Sequence, residues 1–356
     1  MEVLILDTNF ESVAIIDSFE SLIWTDRFYE CGDFEIYTGM REDILDIIKP
    51  DYYLWNSDSD RVMIIEDYLI ETDVEEGKHI TVTGRSLESI LDRRVLWGNV
   101  TLSGNLQDEI ERLLNECIIS PEVAERKIDN FIFKKSDDPV ITNLTISAQY
   151  TGDNLLDVVQ KICESEKIGF KVILTDNNEF EFSLYAGIDR SYKQDINPYV
   201  VFSPTYDNII NSSYFESKKT LKNVAYIAGE TVNNVMKHLV VGTESGLNRR
   251  ELYTDARDIS STDGDVTLSP TEYNAQLEQR GKEDLVKQVY SKTFEGQADA
   301  SRMYVYGEHF FIGDIVQIAN EYGIEGRAYI SELILSQSKD GIEIYPTFST
   351  VDEEII

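Results

Sequence analysis

Cysteine, proline and histidine are scarce in this sequence, and each shortage excludes a class of structure. The chain of 356 residues has only three cysteines, Cys31, Cys117 and Cys163, at wide spacing and without a Cys-x-x-Cys pair. This odd number does not fit the disulfide framework of a secreted domain, so we interpret the cysteines as reduced, buried thiols of a protein made in a cytoplasm. With seven prolines, a Pro-rich linker is not expected.

Catalytic and metal-binding motifs are missing as well. The three histidines, His79, His238 and His309, form no i, i+3 or i+4 pair that could hold zinc. The sequence has no P-loop and no dinucleotide-binding glycine motif, and the serine of Gly242-Thr-Glu-Ser-Gly246 is misplaced for a nucleophile elbow. We therefore expect a protein that is not an enzyme, with no catalytic residue, no cofactor-binding residue and no metal ligand.

One run of acidic residues has part of a calcium-loop pattern. Asn56, Asp58 and Asp60 alternate with other residues, and Asp67 falls at the twelfth position of the loop. However, Arg61 stands where the loop requires glycine, and both flanks have the pattern of strands rather than helices. We interpret the run as a polar turn of a hairpin.

Long apolar runs are also absent, whereas aromatic residues are plentiful. No stretch approaches the ~20 apolar residues of a membrane helix, and the acidic start of the chain is unlike a signal peptide. Hydrophobic residues at 42% are sufficient for buried cores, and 20 tyrosines favour sheets. We expect the cluster of Tyr304, Tyr306, Phe310 and Phe311 to fill a core rather than to stack on sugars or bases.

The charge is strongly one-sided. Sixty-six acidic residues against 32 basic ones give a net charge of −34, and the first hundred residues already contain 23 acidic and 8 basic side chains. Binding to duplex DNA depends on lysine and arginine displacing counterions from phosphates, so sequence-specific DNA recognition is excluded. The acidity also fits a generally soluble surface.

Hydrophobic patterns predict a β-rich α+β protein of several domains. Strand patterns occur at 3–6, 12–16, 34–37, 52–55, 62–71, 79–84, 170–174, 180–185, 213–217, 223–228, 238–241, 291–295, 303–306, 315–319, 327–336 and 341–348. Helical patterns occur at 41–48, 86–91, 105–118, 153–166 and 270–290. We place a β domain at 1–104, an α+β domain at 105–205, and a second β domain at 206–356 with a helical insertion near 270–290.

Several stretches together resemble one known family. They are Gly84-Arg-Ser-Leu-Glu-Ser-Ile-Leu-Asp-Arg-Arg94 with Trp97, Gly152-Asp-Asn-Leu-Leu-Asp-Val-Val-Gln-Lys-Ile162 before Gly169, Lys222-Asn-Val-Ala-Tyr-Ile-Ala-Gly229, Asp255-Ala-Arg257, Gln279-Arg-Gly281, Gly313-Asp-Ile-Val-Gln317 and Arg327-Ala-Tyr-Ile-Ser-Glu332. In this order they resemble the siphophage tail-hub proteins, also called tail-associated or baseplate hub proteins, whose fold is similar to the central hub of contractile tails. Each stretch has a packing or turn signature, and none is catalytic.

The resemblance implies a virion structural protein at the tail tip, assembled in the host cytoplasm. It implies that both β domains are barrel-like and that three chains form a pseudo-hexameric ring that caps or continues the tail tube. The implied partners are two further copies of the chain, a distal tail protein, a tape-measure protein and, as further candidates, receptor-binding proteins. Genome DNA would pass through the ring without specific binding, and we expect the lumen to be more acidic than the outer face.

Two other function classes stay open at the level of sequence. A cell-wall-degrading tail enzyme, either a glycan hydrolase or a peptidase, would require a convergent carboxylate or nucleophile site. An adhesin would bind surface polysaccharide through exposed aromatic residues. Many members of the resembled family have a long C-terminal extension, whereas this sequence stops at Ile356. Either separate proteins perform adhesion and lysis, or a C-terminal extension is missing from this sequence.

Overall fold

The protein is β-rich, with 45% strand and 21% helix, in agreement with the predicted α+β class. The computed structural model describes residues 2–41, 43–75, 77–263, 266–298, 303–320, 322–323, 325–339 and 341–351. Residue 42 of the predicted first helix and residues 352–356 of the predicted C-terminal domain lie outside these ranges. No helix in the described ranges has both the length and the apolar character needed to cross a membrane.

The strands are numbered along the chain. They are β1 (Val3–Leu6), β2 (Ser12–Ile16), β3 (Ser21–Arg27), β4 (Asp33–Gly39), β5 (Tyr53–Trp55), β6 (Met63–Asp73), β7 (Gly77–Ser86), β8 (Asn99–Asn105), β9 (Phe131–Lys134), β10 (Thr145–Thr151), β11 (Gly169–Leu174), β12 (Phe180–Tyr185), β13 (Val201–Phe202), β14 (Ile209–Ser217), β15 (Val224–Val232), β16 (Val235–Val241), β17 (Glu251–Asp255), β18 (Thr262–Asp263), β19 (Val266–Thr267), β20 (Ser291–Ala298), β21 (Ile315–Ala319), β22 (Glu325–Ser338) and β23 (Gly341–Thr350). The strand predicted at 303–306 is wrong: that segment contains only an isolated bridge from Tyr306 to Phe310.

Among the described residues there are five α-helices. They are α1 (Ile44–Ile47), α2 (Leu106–Leu114), α3 (Pro139–Thr142), α4 (Leu155–Glu166) and α5 (Pro270–Leu285). All of them except α1 begin at a residue whose side chain caps the helix. The side chains of Asn105 and Asn154 accept backbone N–H bonds at the starts of α2 and α4, and Ser269 with Glu272 forms a capping box at α5. A π-helical turn (Asn115–Ile119) follows α2, and a 3₁₀ turn (Leu87–Arg93) replaces the predicted helix at 86–91.

One large sheet joins strands from the two ends of the chain. Its order is β14-β20-β23-β22-β3-β4-β7-β6-β5-β1-β2, with β21 beside β22 and β13 beside β21. The junction is the antiparallel pair β3–β22, in which Arg27 lies opposite Glu332 and Ser21 opposite Ser338. The Arg27 guanidinium also forms an ion pair with Glu332 at 2.7 Å.

The prediction of barrel-like β domains needs correction, because no sheet in the described part of the chain closes into a barrel. The physical reason is the β3–β22 pair, which joins the N-terminal and C-terminal strands edge to edge. The resulting sheet extends sideways and ends at β2 and β14 instead of closing on itself.

The chain divides into two compact units, each made of segments that are distant in sequence. Unit 1 consists of residues 1–89, 169–214 and 293–356, and unit 2 of residues 90–168 and 215–292. The core of unit 1 contains Trp24, Phe202, Phe294 and Phe348, which are all nearly inaccessible to solvent. The linear boundaries at 104/105 and 205/206 stay a prediction.

Unit 2 is built from small sheets and helices. Strands β8 and β10 form an antiparallel pair, and β15 lies between β16 and β17 in a three-stranded sheet. Helix α5 contacts both sheets, and its Tyr273 and Leu277 belong to the same apolar cluster as Ala225 and Ile227 of β15. Gly281 allows this close approach, since a Cβ atom there would collide with the side chain of Ile227.

Candidate functional site

A cleft of about 760 Å³ opens within unit 1. Its volume lies within the range typical of ligand sites. The fold brings together four segments that are distant in sequence: the turn after β5, the β11–β12 hairpin with the residues after it, the irregular segment before β21, and the β22–β23 hairpin. The lining residues are Ser57, Asp58, Ser59, Asp60, Arg61, Lys171, Tyr185, Ala186, Ile188, Val305, Tyr306, Gly307, Glu308, Phe311, Ile312, Asp314, Leu335, Ile342 and Ile344.

A buried ion pair lies beneath this cleft. The guanidinium of Arg61 donates hydrogen bonds to Glu88 and, at 3.1 Å, to the hydroxyl of Tyr185. Glu88 also accepts the backbone N–H of Val172 at 3.1 Å. Burial by itself lowers the pKa of Arg61, but the neighbouring Glu88, Tyr185, Asp60 and Asp26 together outweigh this effect, so the net shift of the pKa is upward and the guanidinium is charged. Burial raises the pKa of Tyr185, and its hydroxyl therefore stays protonated.

Asp26 of β3 forms a second buried polar group at the same place. It accepts hydrogen bonds from Ser59 Oγ, at 2.9 and 3.1 Å, and from the Tyr306 hydroxyl at 3.1 Å. Burial raises the pKa of Asp26 to about 6, although the nearby Arg61 and the Ser59 hydrogen bond act in the opposite direction. Since Ser59 and Tyr306 line the cleft, they connect its surface to this buried carboxyl group.

Most of the charged groups at the wall already have partners. Lys171 Nζ lies 2.5 Å from Asp60 Oδ2, and Arg190 Nε lies 2.7 Å from Asp314 Oδ2. The exposed side chains of Asp58 and Glu308 have no hydrogen-bond or ion-pair partner among the described residues. The cleft therefore has two uncompensated negative charges at its mouth.

The run from Asn56 to Asp60, which has part of a calcium-loop pattern, lies at this cleft and forms a turn. The side chain of Asn56 accepts the N–H of Asp58 at 2.8 Å, and Asp60 is occupied by Lys171. Asp67 lies on β6 in register with Thr83, outside the turn. Within the described ranges no group of three or more histidine, cysteine or acidic side chains could hold a metal ion.

The other candidate residues are scattered. His79 stacks on Tyr37 with ring centroids 4.8 Å apart, His238 stacks on Tyr226, and the ring of His309 accepts the N–H of Val305. All three cysteines are buried and none of them forms a disulfide. Gly242–Gly246 joins β16 to a 3₁₀ turn. In the aromatic cluster, Phe310 belongs to the core with Tyr304 and Tyr306 against it, whereas Phe311 is exposed at the cleft.

The sequence interpretation missed the residues that give the cleft its character. Asp26, Lys171, Tyr185 and Asp314 lie far apart along the chain, and none belongs to a recognisable motif. The only local signal in the sequence is the run from Asn56 to Arg61, which has part of a calcium-loop pattern.

The β6–β7 hairpin has a second unusual feature, a free strand edge. Strand β6 pairs with β5 only at Met63 and Ile64, whereas its pairing with β7 continues to Asp73. Beyond Ile65, therefore, one edge of β6 has no strand partner in the described part of the chain. Exposed apolar side chains lie along this edge, namely Tyr68 (43% exposed), Leu69 (57%) and Ile70 (41%).

This fold is that of solved phage tail proteins. A prophage MuSo2 43 kDa tail protein from Shewanella oneidensis matches with a TM-score of 0.61 and 12% identity over 98% of each chain. A tail protein from Neisseria meningitidis MC58 matches with a TM-score of 0.58 and 12% identity, over 99% of this chain and 97% of that one. Prophage tail protein gp18 from Listeria monocytogenes EGD-e gives 0.55 and 14%, over 100% and 96%.

The family follows from a sequence comparison. The family model described as Siphovirus ReqiPepy6 Gp37-like protein matches residues 2–348, and the chain belongs to this family. The resemblance to siphophage tail proteins is thereby confirmed. No curated protein matches the chain in sequence.

Proposed function

We propose that this siphovirus tail protein is the hub of the tail tip, in which three copies form a ring that caps or continues the tail tube. The observation that carries the proposal is the free edge of β6. An exposed strand edge with apolar side chains is a template for pairing with another chain.

The geometry of the sheet supports a contact between unlike surfaces. Besides the edge of β6, the sheet ends at β2, whose Val13 and Ile15 are exposed, and at β14. A ring requires a head-to-tail contact between two different surfaces of the same chain, and several different free edges meet this requirement. The strand edges that stay unpaired within one chain are thus available for pairing between chains.

The proposed partners follow from this position. A hub contacts a distal tail protein and a tape-measure protein, and receptor-binding proteins are further candidates. The proposed role is structural, in the tail tip of the virion, and requires neither a cofactor nor catalysis. It is favoured over a tail enzyme or a polysaccharide-binding adhesin because the free edge has a direct use in assembly.

The net charge of −34 supports a passage for DNA through the ring. Phosphate contacts by lysine or arginine gain affinity through counterion release and would hold the duplex back. An acidic wall instead repels the duplex over a Debye length of about 8 Å at physiological salt. Acidic side chains should therefore outnumber basic ones more strongly on the lumen than on the outer face, and measurable duplex binding at moderate salt would contradict this role.

The ring is tested by mass measurement of the full chain, alone and with its distal tail protein. Light scattering should report a trimer in at least one of these two conditions. The variant Leu69→Lys places a charge on the free edge and should weaken trimer formation at least tenfold. Its matched control, Leu247→Lys, changes a fully exposed leucine of unit 2 and should leave the trimer intact.

Two outcomes would contradict the ring. One is a strict monomer both alone and with the partner protein. The other is a trimer that the two variants affect equally, because the β6 edge would then have no part in it.

A further inference from the structure

The cleft of unit 1 combines free negative charge with an exposed aliphatic surface. Asp58 and Glu308 supply the charge, since neither has a partner among the described residues. On the aliphatic side, Ile188 is 43% exposed and Ile342 is 50% exposed. Aliphatic side chains left open in a concave site next to unpaired charges are typical of a binding site.

The cations in the cleft wall are not available to a ligand. Lys171 is held by Asp60 at 2.5 Å, and the guanidinium of Arg61 is bound to Glu88 beneath the surface. An anion entering the cleft would therefore meet two free carboxylates and no free cation among the described lining residues. This arrangement disfavours nucleotides, phosphates and fatty acids.

The occupant must satisfy both properties at once. A polyamine would neutralise the carboxylates but leave the isoleucine side chains in water, and an uncharged apolar segment would leave the carboxylates without partners. A basic segment with aliphatic neighbours fulfils both requirements.

We propose that this cleft binds a segment of another protein in which lysine or arginine side chains alternate with aliphatic ones. The basic side chains pair with Asp58 and Glu308, and the aliphatic side chains cover Ile188 and Ile342. The overall negative charge of the chain attracts such a segment from a distance, so association weakens with rising salt. The proposal concerns unit 1 of a single chain and does not depend on the ring.

The first experiment is a titration of the full chain followed by NMR of isoleucine methyl groups. The probe is the pentapeptide Ac-Leu-Lys-Leu-Lys-Leu-NH₂. Its addition should shift the methyl signals of Ile188, Ile312, Ile342 and Ile344, all at the cleft, and leave Ile227 in the core of unit 2 unchanged. Two control peptides replace either both lysines by glutamate or all leucines by serine, and each should bind at least tenfold more weakly.

Variants then test the two sides of the cleft separately. Combining Asp58→Asn with Glu308→Gln should weaken binding of the lysine probe about fivefold, as expected for two partly exposed ion pairs. The matched control combines Glu122→Gln with Asp137→Asn, which removes the same charge from exposed positions of unit 2 and should weaken binding less than twofold. Ile342→Ser should also weaken binding of the lysine probe. Because Ile342 is half exposed, this substitution should not prevent folding.

The proposal is overturned by any of three results. The first is that the lysine probe leaves the cleft methyl groups unshifted at millimolar concentration. The second is that the glutamate peptide binds as well as the lysine peptide, so that charge has no role. The third is that the cleft and control variants lose affinity equally, which would assign binding to the net charge rather than to this cleft.

Discussion

The two units differ in the polar groups that they bury. Unit 1 encloses a charged pair, Arg61 with Glu88, next to the carboxyl group of Asp26. In unit 2 a phenol and an amide bind a carboxyl group: the Tyr150 hydroxyl donates to Glu283 Oε1 at 2.5 Å, and Gln279 donates to the same oxygen at 3.1 Å. Burial raises the pKa of Glu283, while the hydrogen bonds from Tyr150 and Gln279 act in the opposite direction.

This difference indicates where each unit is most sensitive. A buried ion pair contributes little net stability, because desolvation offsets the attraction, yet loss of one partner is costly since a charge stays buried alone. A hydrogen-bonded phenol, amide and carboxyl group can lose a member and keep the others satisfied. Unit 1 should therefore respond to single changes more strongly than unit 2.

The largest effect is expected from Glu88→Gln. This change removes the carboxylate that is hydrogen-bonded to the buried Arg61 guanidinium and should lower the free energy of unfolding by about 3 kcal/mol in urea denaturation. Glu35→Gln, at an exposed position of β4, is the matched control and should change the free energy of unfolding by less than about 0.5 kcal/mol. The double variant Arg61→Met, Glu88→Leu should recover most of the loss. Equal effects of Glu88→Gln and Glu35→Gln would show that the pair is not buried.

A smaller, pH-dependent effect is expected from Asp26→Asn. The folded pKa of about 6 lies above the usual 3.8, so folding favours the protonated carboxyl group. In the wild type, the contribution of Asp26 to the free energy of unfolding is therefore lost as the pH rises from about 4 through 6. Relative to the wild type, the variant should gain about 2 kcal/mol between pH 4 and pH 7.5.

The measurement is urea denaturation of both proteins across this pH range. Asp46→Asn, at an exposed position of α1, serves as the control and should follow the wild type throughout. A difference between Asp26→Asn and the wild type that is constant with pH would refute the raised pKa.

The smallest effect is expected in unit 2 from Tyr150→Phe. It removes one donor from Glu283, which keeps the Gln279 hydrogen bond, so the free energy of unfolding should fall by about 1 kcal/mol. Tyr253→Phe, at a position that is 59% exposed, is the matched control and should leave the free energy of unfolding unchanged. A loss as large as that of Glu88→Gln would remove the distinction between the units.

Short-range features of the fold could be predicted from the sequence. The start of α5 at Ser269 and Pro270, with Glu272 at its third position, is a local signal and is confirmed. The β11–β12 hairpin is also local, because Asn178 adopts a positive φ of 61° and closes the turn with a hydrogen bond to Thr175. Strand β3 was not predicted, because its buried positions include the polar Thr25 and Asp26, which interrupt the apolar pattern.

The sequence by itself determined the family, the β-rich class, the starts of α2, α4 and α5 and the acidic composition, since these depend on composition and on residues a few positions apart. Only the tertiary structure decided that β3 pairs with β22, and that Asp26 meets both Ser59 and Tyr306. Periodicity states which face of a strand is buried, but it does not state which distant strand lies alongside. That choice depends on how the whole core packs, and it brings together the distant segments that line the cleft.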